Sequence, residues 1–328
     1  MLSTPFTEMF GVDVPIVGAP MAGVSGGRLA AAVTAGGGLG MIGVGNSTTA
    51  AAITAEVQVA RQGGGLGLRP GDRHGPFGIG LMAWALSANP AQFDATLEAS
   101  PALVSLSFGD LMPWALRFRE AGIRIAVQAG HVQDARAAAD QGVDVIVARG
   151  GEGGGHGRDA VGTLPLLQGV LDAVDVPVLA AGGIVTARGL AAVLAAGAAG
   201  AWIGTALLAS PEGMHTAAAK DRVRAARETD TSYGRVFDVA QGVPWPREYG
   251  GRALANEFSR RWAGREDELA ADQEAQAQLA DARKAGDYDI AYLYAGQGVG
   301  LVNQERPAAG IVADLAAGAE RLLRRWGG

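Results

Sequence analysis

The feature that most constrains this chain is an alternation repeated along its first 209 residues. Short apolar, often β-branched runs recur at intervals of roughly 20 to 40 residues: VPIV (14–17), LGMIG (39–43), FGIGL (77–81), LVSLSF (103–108), IRIAVQ (123–128), VDVIVA (143–148), VPVLAA (176–181) and GAWIG (200–204). Each leads into a loop and then an Ala-rich stretch with helical periodicity, such as 132–141, 163–174 or 186–196. Strands joined through helices pair in parallel, because a helical crossover carries the chain back to the same edge of the sheet. Eight such units predict an α/β fold, a (β/α)₈ TIM barrel closed on itself, in preference to an open doubly wound sheet.

Beyond residue 209 the alternation stops. The chain turns polar and aromatic through FDVAQGVPWPREYGGRALANEFSRRW (237–262) and then charged to about 284. The sequence therefore predicts a barrel from 1–209 and 303–328 with an inserted, mostly helical lobe over 210–302. An amphipathic helix at 308–325 supplies the last outer helix.

Hydrophobic residues make up 48% and charged residues 18%, enough to bury a large core. The 51 glycines have no collagen-like period and so mark turns and ligand-cradling loops. A net charge of −6, with no basic cluster beyond Arg222–Arg227, argues against a nucleic acid partner. The absence of cysteine excludes disulfides and thiolate chemistry. The first residues lack the basic region and apolar run of a signal peptide, so a cytoplasmic location is expected. The apolar run 190–209 is long enough to raise a membrane span, but glycines at 197, 200 and 204 favour helix, turn and strand, and no membrane partner is expected.

Barrel ligands bind on the loops after the strands. Gly182-Gly183 follows the seventh run and Gly204-Thr205 the eighth, where bare backbone N–H groups can approach a phosphate. After the sixth run stands ARGGEGGGHGRD (148–159), too glycine-rich for regular structure, with His156 at its tip as a candidate base or hydrogen-bond donor. Of the other histidines, His131 follows the fifth run, while His74 and His215 read as surface residues. No pair has zinc spacing, and no metal site is expected. Lys220 and Lys284 are the only lysines, which excludes a Schiff-base or P-loop lysine. GLGMIG (38–43) matches a dinucleotide fingerprint but runs into a strand, the wrong context. At the first strand, GAPMAG (18–23) offers small residues and the Met21 thioether to a planar ring, or core filler.

The turns GAPMAG, GGEGGGHG, AAGGI and IGT, and the late AGQGVGLV, occur in an order that resembles the nitronate monooxygenase family, formerly called 2-nitropropane dioxygenases. The resemblance implies FMN held non-covalently in a TIM barrel, with the lobe covering the substrate pocket. It places Pro20, Met21 and Ala22 along the flavin, Gln128 at its polar edge, and Gly154 and Gly155 close to the isoalloxazine. Gly182, Gly183, Gly204 and Thr205 would hold the phosphate, and His156 would be the catalytic base. The implied reaction is oxidation of alkyl nitronates or nitroalkanes with dioxygen. The alternative is an NAD(P)H-dependent flavin reductase of the same fold, acting on quinones or an enoyl thioester. A barrel that binds the ligand without chemistry is a third reading. The expected partners are a small-molecule substrate and dioxygen, and a homo-oligomer is left open.

Three positions depart from the family pattern. Gly78-Ile79-Gly80 stands where G-V-N is common, removing a side-chain amide from the cofactor site. Arg149 stands where Gln or Asp is usual, and Gln128 replaces a lysine found in some members. Arg149 either brings positive charge to the flavin or an anionic substrate, or turns away into a salt bridge. Trp84, Trp114, Tyr233 and Trp245 are candidates to shape the pocket, each with simple packing as its other reading.

Overall fold

Eight parallel strands form where the apolar runs predict them: β1 (Ile16–Gly18), β2 (Gly40–Gly43), β3 (Phe77–Met82), β4 (Leu103–Ser107), β5 (Arg124–Ala129), β6 (Val145–Arg149), β8 (Val178–Ala181) and β9 (Gly200–Ile203). The computed structural model describes residues 2–63, 77–112 and 114–325. The strand order is β1-β9-β8-β6-β5-β4-β3-β2. A parallel bridge between Val17 and Leu39 joins the first and last of these, with Gly18 N–H donating to Leu39 O at 3.0 Å and Leu39 N–H to Ile16 O at 2.9 Å. The sheet is thus closed into a barrel.

Side chains of successive strand residues point to opposite faces, so each strand feeds two cores. Val17, Met41, Leu103, Ala126, Val147, Leu179 and Trp202 fill the inside. Ile16, Ile42, Ile79, Val104, Ile125, Ile146 and Ile203 face the helices. Helix Ala308–Arg324 packs against Ala187–Ala195, and a Cβ on Gly318 would lie 2.5 Å from Ala187 Cβ. The apolar stretch 190–209 resolves into helix Ala187–Ala195, β9 and a short 3₁₀ turn, and no helix among the described residues is long and apolar enough to cross a membrane.

One end of the barrel is plugged. The helix Pro5–Phe10 starts with a Thr4 capping box and Pro5 in its first turn, and it drives Phe6, fully buried, into the inner core. Thr4 Oγ1 donates to Ala199 O at 2.7 Å and pins the plug. Among the described residues this plug closes one end, and a cavity lies at the C-terminal mouth.

One feature departs from the sequence reading. The loop GGEGGGHG is partly regular: Gly155–Gly157 form a short strand, β7, despite their glycines. It is the edge of a three-stranded antiparallel sheet with β10 (Thr231–Gly234) and β11 (Gly250–Leu254), in the order β10-β11-β7. The pairing is non-local, His156 opposite Gly251, so glycine content alone could not reveal it. Residues 210–302 also carry β10 and β11 alongside helices Ala217–Ala225, Val236–Ala240, Glu257–Trp262, Glu266–Ala271 and Gln273–Ala285.

Candidate active site

A cavity of about 580 Å³ opens at the C-terminal mouth of the barrel. This lies within the roughly 300–1,000 Å³ of ordinary small-molecule sites. The residues that the sequence assigned to the cofactor and the base line it: Pro20, Met21, Ala22, Gln128, Arg149, Gly154, Gly155, His156, Gly182, Gly183, Gly204 and Thr205. They come from five strand ends and meet because a parallel barrel aims all its βα loops to one side.

The floor is polar. Ser107 Oγ accepts from Gln128 N–H at 2.9 Å and lies 3.5 Å from Ser105 Oγ, and Gln128 Nε2 donates to His156 O at 3.2 Å. Beside the floor, Gly80 faces the Pro20 ring, and a Cβ there would lie 2.3 Å from Pro20 Cγ. Pro20 thus occupies the space that a side chain at position 80 would enter in this fold.

The glycine turn after β8 fits a bound phosphate. Gly182 and Gly183 have φ of 109° and 71°, conformations open to glycine, and Gly183 presents exposed backbone to the cavity. A Cβ on Gly182 would come within 2.6 Å of Thr163 Oγ1. Thr205 Oγ1 accepts from Gly296 N–H at 2.9 Å, tying the end of β9 to the AGQG segment.

Arg149 makes no salt bridge among the described residues, and its guanidinium is engaged by its own loop. Its side chain is buried, and its guanidinium donates to the carbonyls of Gly153 (2.6 Å), Gly155 (2.9 Å) and Arg158 (3.0 Å), with Gly154 at 3.3 Å. Burial draws its pKa down to about 10. It is the internal scaffold of the glycine loop, and it also lines the cavity. Glu152 works beside it by accepting from Thr163 N–H and Oγ1–H, which caps helix Thr163–Leu171.

His156 stands in a tight aromatic and acidic setting. Its ring stacks on Trp245 at 3.7 Å with an interplanar angle of 4°, and Tyr294 tilts against it at 5.1 Å. Nε2 lies 2.8 Å from Asp238 Oδ1, with the two side chains 10% and 3% exposed. Tyr294 OH donates to the same oxygen at 3.4 Å, and burial followed by the nearby Asp238 holds the Tyr294 phenol well above its usual pKa. No protein partner reaches Nδ1 among the described residues.

Asp238, Tyr292 and Tyr294 were missed in the sequence. Asp238 is 82 residues from His156 and belongs to no motif. Its one local signal is a carboxylate set among apolar Val236, Phe237 and Ala240 in a short buried helix. Of the four aromatic candidates, Trp245 lines the cavity. Trp84 packs behind it at 5.2 Å, Trp114 packs on Phe93, and Tyr233 OH donates to Gly157 O at 2.9 Å within the small sheet. His131 precedes helix Val132–Asp140 and does not line the cavity, and His74 lies outside the described residues. His215 corrects the surface reading: it lines the cavity, and burial together with Lys220 lowers its pKa to about 4.

A model of the nitronate monooxygenase family matches residues 82–318. The chain belongs to the nitronate monooxygenase family. Over 98% of its length it superimposes on 99% of a nitroalkane oxidase from Streptomyces ansochromogenes, with a TM-score of 0.81 and 32% identity. FabK from Thermotoga maritima gives a TM-score of 0.84 at 25% identity, with 100% and 99% of the two chains covered. A (3aS,4S,5R,7aS)-5-hydroxy-7a-methyl-1-oxo-octahydro-1H-indene-4-carboxyl-CoA dehydrogenase from Rhodococcus jostii is 35% identical over 246 residues, 74% of this chain and 65% of that protein. The chain thus spans less than two thirds of that relative's length.

Proposed function

We propose that this protein oxidises alkyl nitronates, and nitroalkanes after removal of their α-proton, with FMN held at the barrel mouth and dioxygen as final electron acceptor. The observation that carries the reading is an imidazole whose Nδ1 has no partner among the described residues, lining the same cavity as the glycine turns after β8 and β9. Family membership and the nitroalkane oxidase likeness support it.

Gly182, Gly183, Gly204 and Thr205 would bind the phosphate through backbone N–H groups, and Pro20, Met21, Ala22, Gly154 and Gly155 would wall the ring. Bound there, FMN would supply the two-electron redox chemistry that no side chain of this protein can. The protein's own part is the proton. His156 accepts the α-proton of a neutral nitroalkane: the C–H bond breaks, an N–H bond forms, and the electron pair remains on the substrate as a nitronate. Trp245 and the lobe residues exclude water from that step.

The test is oxygen consumption by the yellow, flavin-loaded protein with a neutral nitroalkane and with its preformed nitronate. His156→Asn should keep its flavin and lose roughly 10²-fold or more on the neutral substrate, while turnover of the preformed nitronate suffers far less. Equal loss on both removes the base assignment. The relative named as a carboxyl-CoA dehydrogenase bears on substrate class alone, and the second reading is an NAD(P)H-dependent reductase of the same fold acting on a quinone or a thioester. Anaerobic mixing with NADPH separates the two, since rapid bleaching of the flavin absorbance belongs to the reductase.

A further inference from the structure

We infer that Asp238 is a positioning residue that holds His156 as its Nε2–H tautomer, so that Nδ1 is the atom facing the substrate as proton acceptor. The kinetic arm of this inference rests on the nitronate reading, and the structural arm stands without it.

An ionised carboxylate can only accept hydrogen bonds, so the 2.8 Å contact between His156 Nε2 and Asp238 Oδ1 assigns the imidazole proton to Nε2. A neutral imidazole then carries its lone pair on Nδ1. The plane of the ring is held by its neighbours. Trp245 lies flat against one face at 3.7 Å, and Tyr294 lies at 5.1 Å. Backbone pairing in β7 fixes the Cα, with His156 opposite Gly251, and a Cβ on Gly251 would lie 3.4 Å from Nε2.

The carboxylate is itself held. Asp238 is buried in the helix Val236–Ala240, and its Oδ1 receives Tyr294 OH at 3.4 Å as well as the histidine. The chain of contacts continues outward: Tyr292 packs on Tyr294 at 4.9 Å and donates to Gln241 Oε1, which also accepts from Arg283. Asp238, Tyr294 and, one contact further, Tyr292 and Arg283 are the ionisable groups on this side of the imidazole. On the other side the buried Arg149 guanidinium binds the carbonyl of Gly155, next to His156 in the chain. When His156 takes a proton at Nδ1, the positive charge formed lies against the Asp238 carboxylate and the Trp245 face, both of which stabilise it.

The chain has four histidines, so ¹⁵N-histidine labelling of the flavin-loaded protein gives a spectrum in which His156→Asn identifies the His156 signals. Two-bond proton–nitrogen couplings then report the tautomer at a pH where the ring is neutral. The expected result is a protonated Nε2 and a bare Nδ1; a protonated Nδ1 in the unmodified protein overturns the inference. In Asp238→Asn the Nδ1–H tautomer should become populated. With the neutral nitroalkane, kcat should fall about 10²-fold at little-changed KM, and turnover of the preformed nitronate should stay within a few fold. An unchanged tautomer with unchanged kcat overturns it, as does an equal loss on both substrates. If the unmodified protein shows the Nε2–H tautomer but turns over neither substrate, the nitronate reading fails and the positioning of His156 by Asp238 stands.

Discussion

Replacement of Arg149 by methionine tests whether this residue is the scaffold of the glycine loop. Three of its hydrogen bonds are short and charge-assisted, to the carbonyls of Gly153, Gly155 and Arg158. Bonds of this kind contribute about 1.5–3 kcal/mol each, or roughly 5–9 kcal/mol together. Against this stands the burial of the cation, which outweighs the nearby carboxylates and draws its pKa down to about 10, a net penalty of roughly 3 kcal/mol. The difference leaves a net contribution of about 2–6 kcal/mol. Methionine fills much of the space but satisfies none of the carbonyls, so a loss of about 3 kcal/mol is expected. At about 2 °C per kcal/mol for a chain of this size, the melting temperature should fall by about 6 °C. Amide hydrogen exchange should accelerate over residues 150–158, and, on the FMN reading proposed above, flavin should be held less tightly because Gly153–Gly155 form one wall of the cavity. Arg149→Lys should recover under half of the loss, since one ammonium cannot reach carbonyls spread around a planar fork. A methionine variant melting within about 1 °C of the parent, with unchanged exchange in this loop, would refute the scaffold reasoning.

Gly80→Ala should weaken flavin retention about tenfold and cost about 1–3 kcal/mol of stability, because its Cβ would lie 2.3 Å from the rigid Pro20 ring; unchanged flavin affinity in equilibrium dialysis would mean that Pro20 does not form the wall. His215 is protonated near pH 6.5 when unfolded but only near 4 in the fold, mainly through burial, so the stability it contributes is complete above 6.5 and is lost as pH falls towards 4. Discounted for partial exposure, that loss is roughly 2–3 kcal/mol, and urea unfolding at pH 7 and pH 4 should show it in the parent and not in His215→Gln; parallel curves would contradict the burial argument.

The barrel was legible in the sequence because its signals are local. A buried parallel strand needs an apolar run, its crossover needs an amphipathic helix, and a phosphate turn needs glycines, and each fits within about ten residues of chain. For the same reason Gly182-Gly183, Gly204-Thr205 and His156 were recognisable before any fold was known, and all of them line one cavity. What neighbours could not reveal was pairing across distance. Whether Arg149 met a cofactor, a carboxylate or its own loop depended on how residues 150–158 fold back over it. Gly80 reads as a missing amide until Pro20 is seen against it.

The sequence by itself pointed to a glycine-lined parallel barrel with His156 at its active face, and it missed His215 beside the same cavity. Only the tertiary structure decided what His156 is. Asp238 and Trp245 reach it from 82 and 89 residues further along the chain, through a small sheet whose register is set between Gly155–Gly157 and Gly250–Arg252. Strand propensity is a property of neighbours, whereas the tautomer and setting of a buried imidazole belong to whatever the completed fold presses against it.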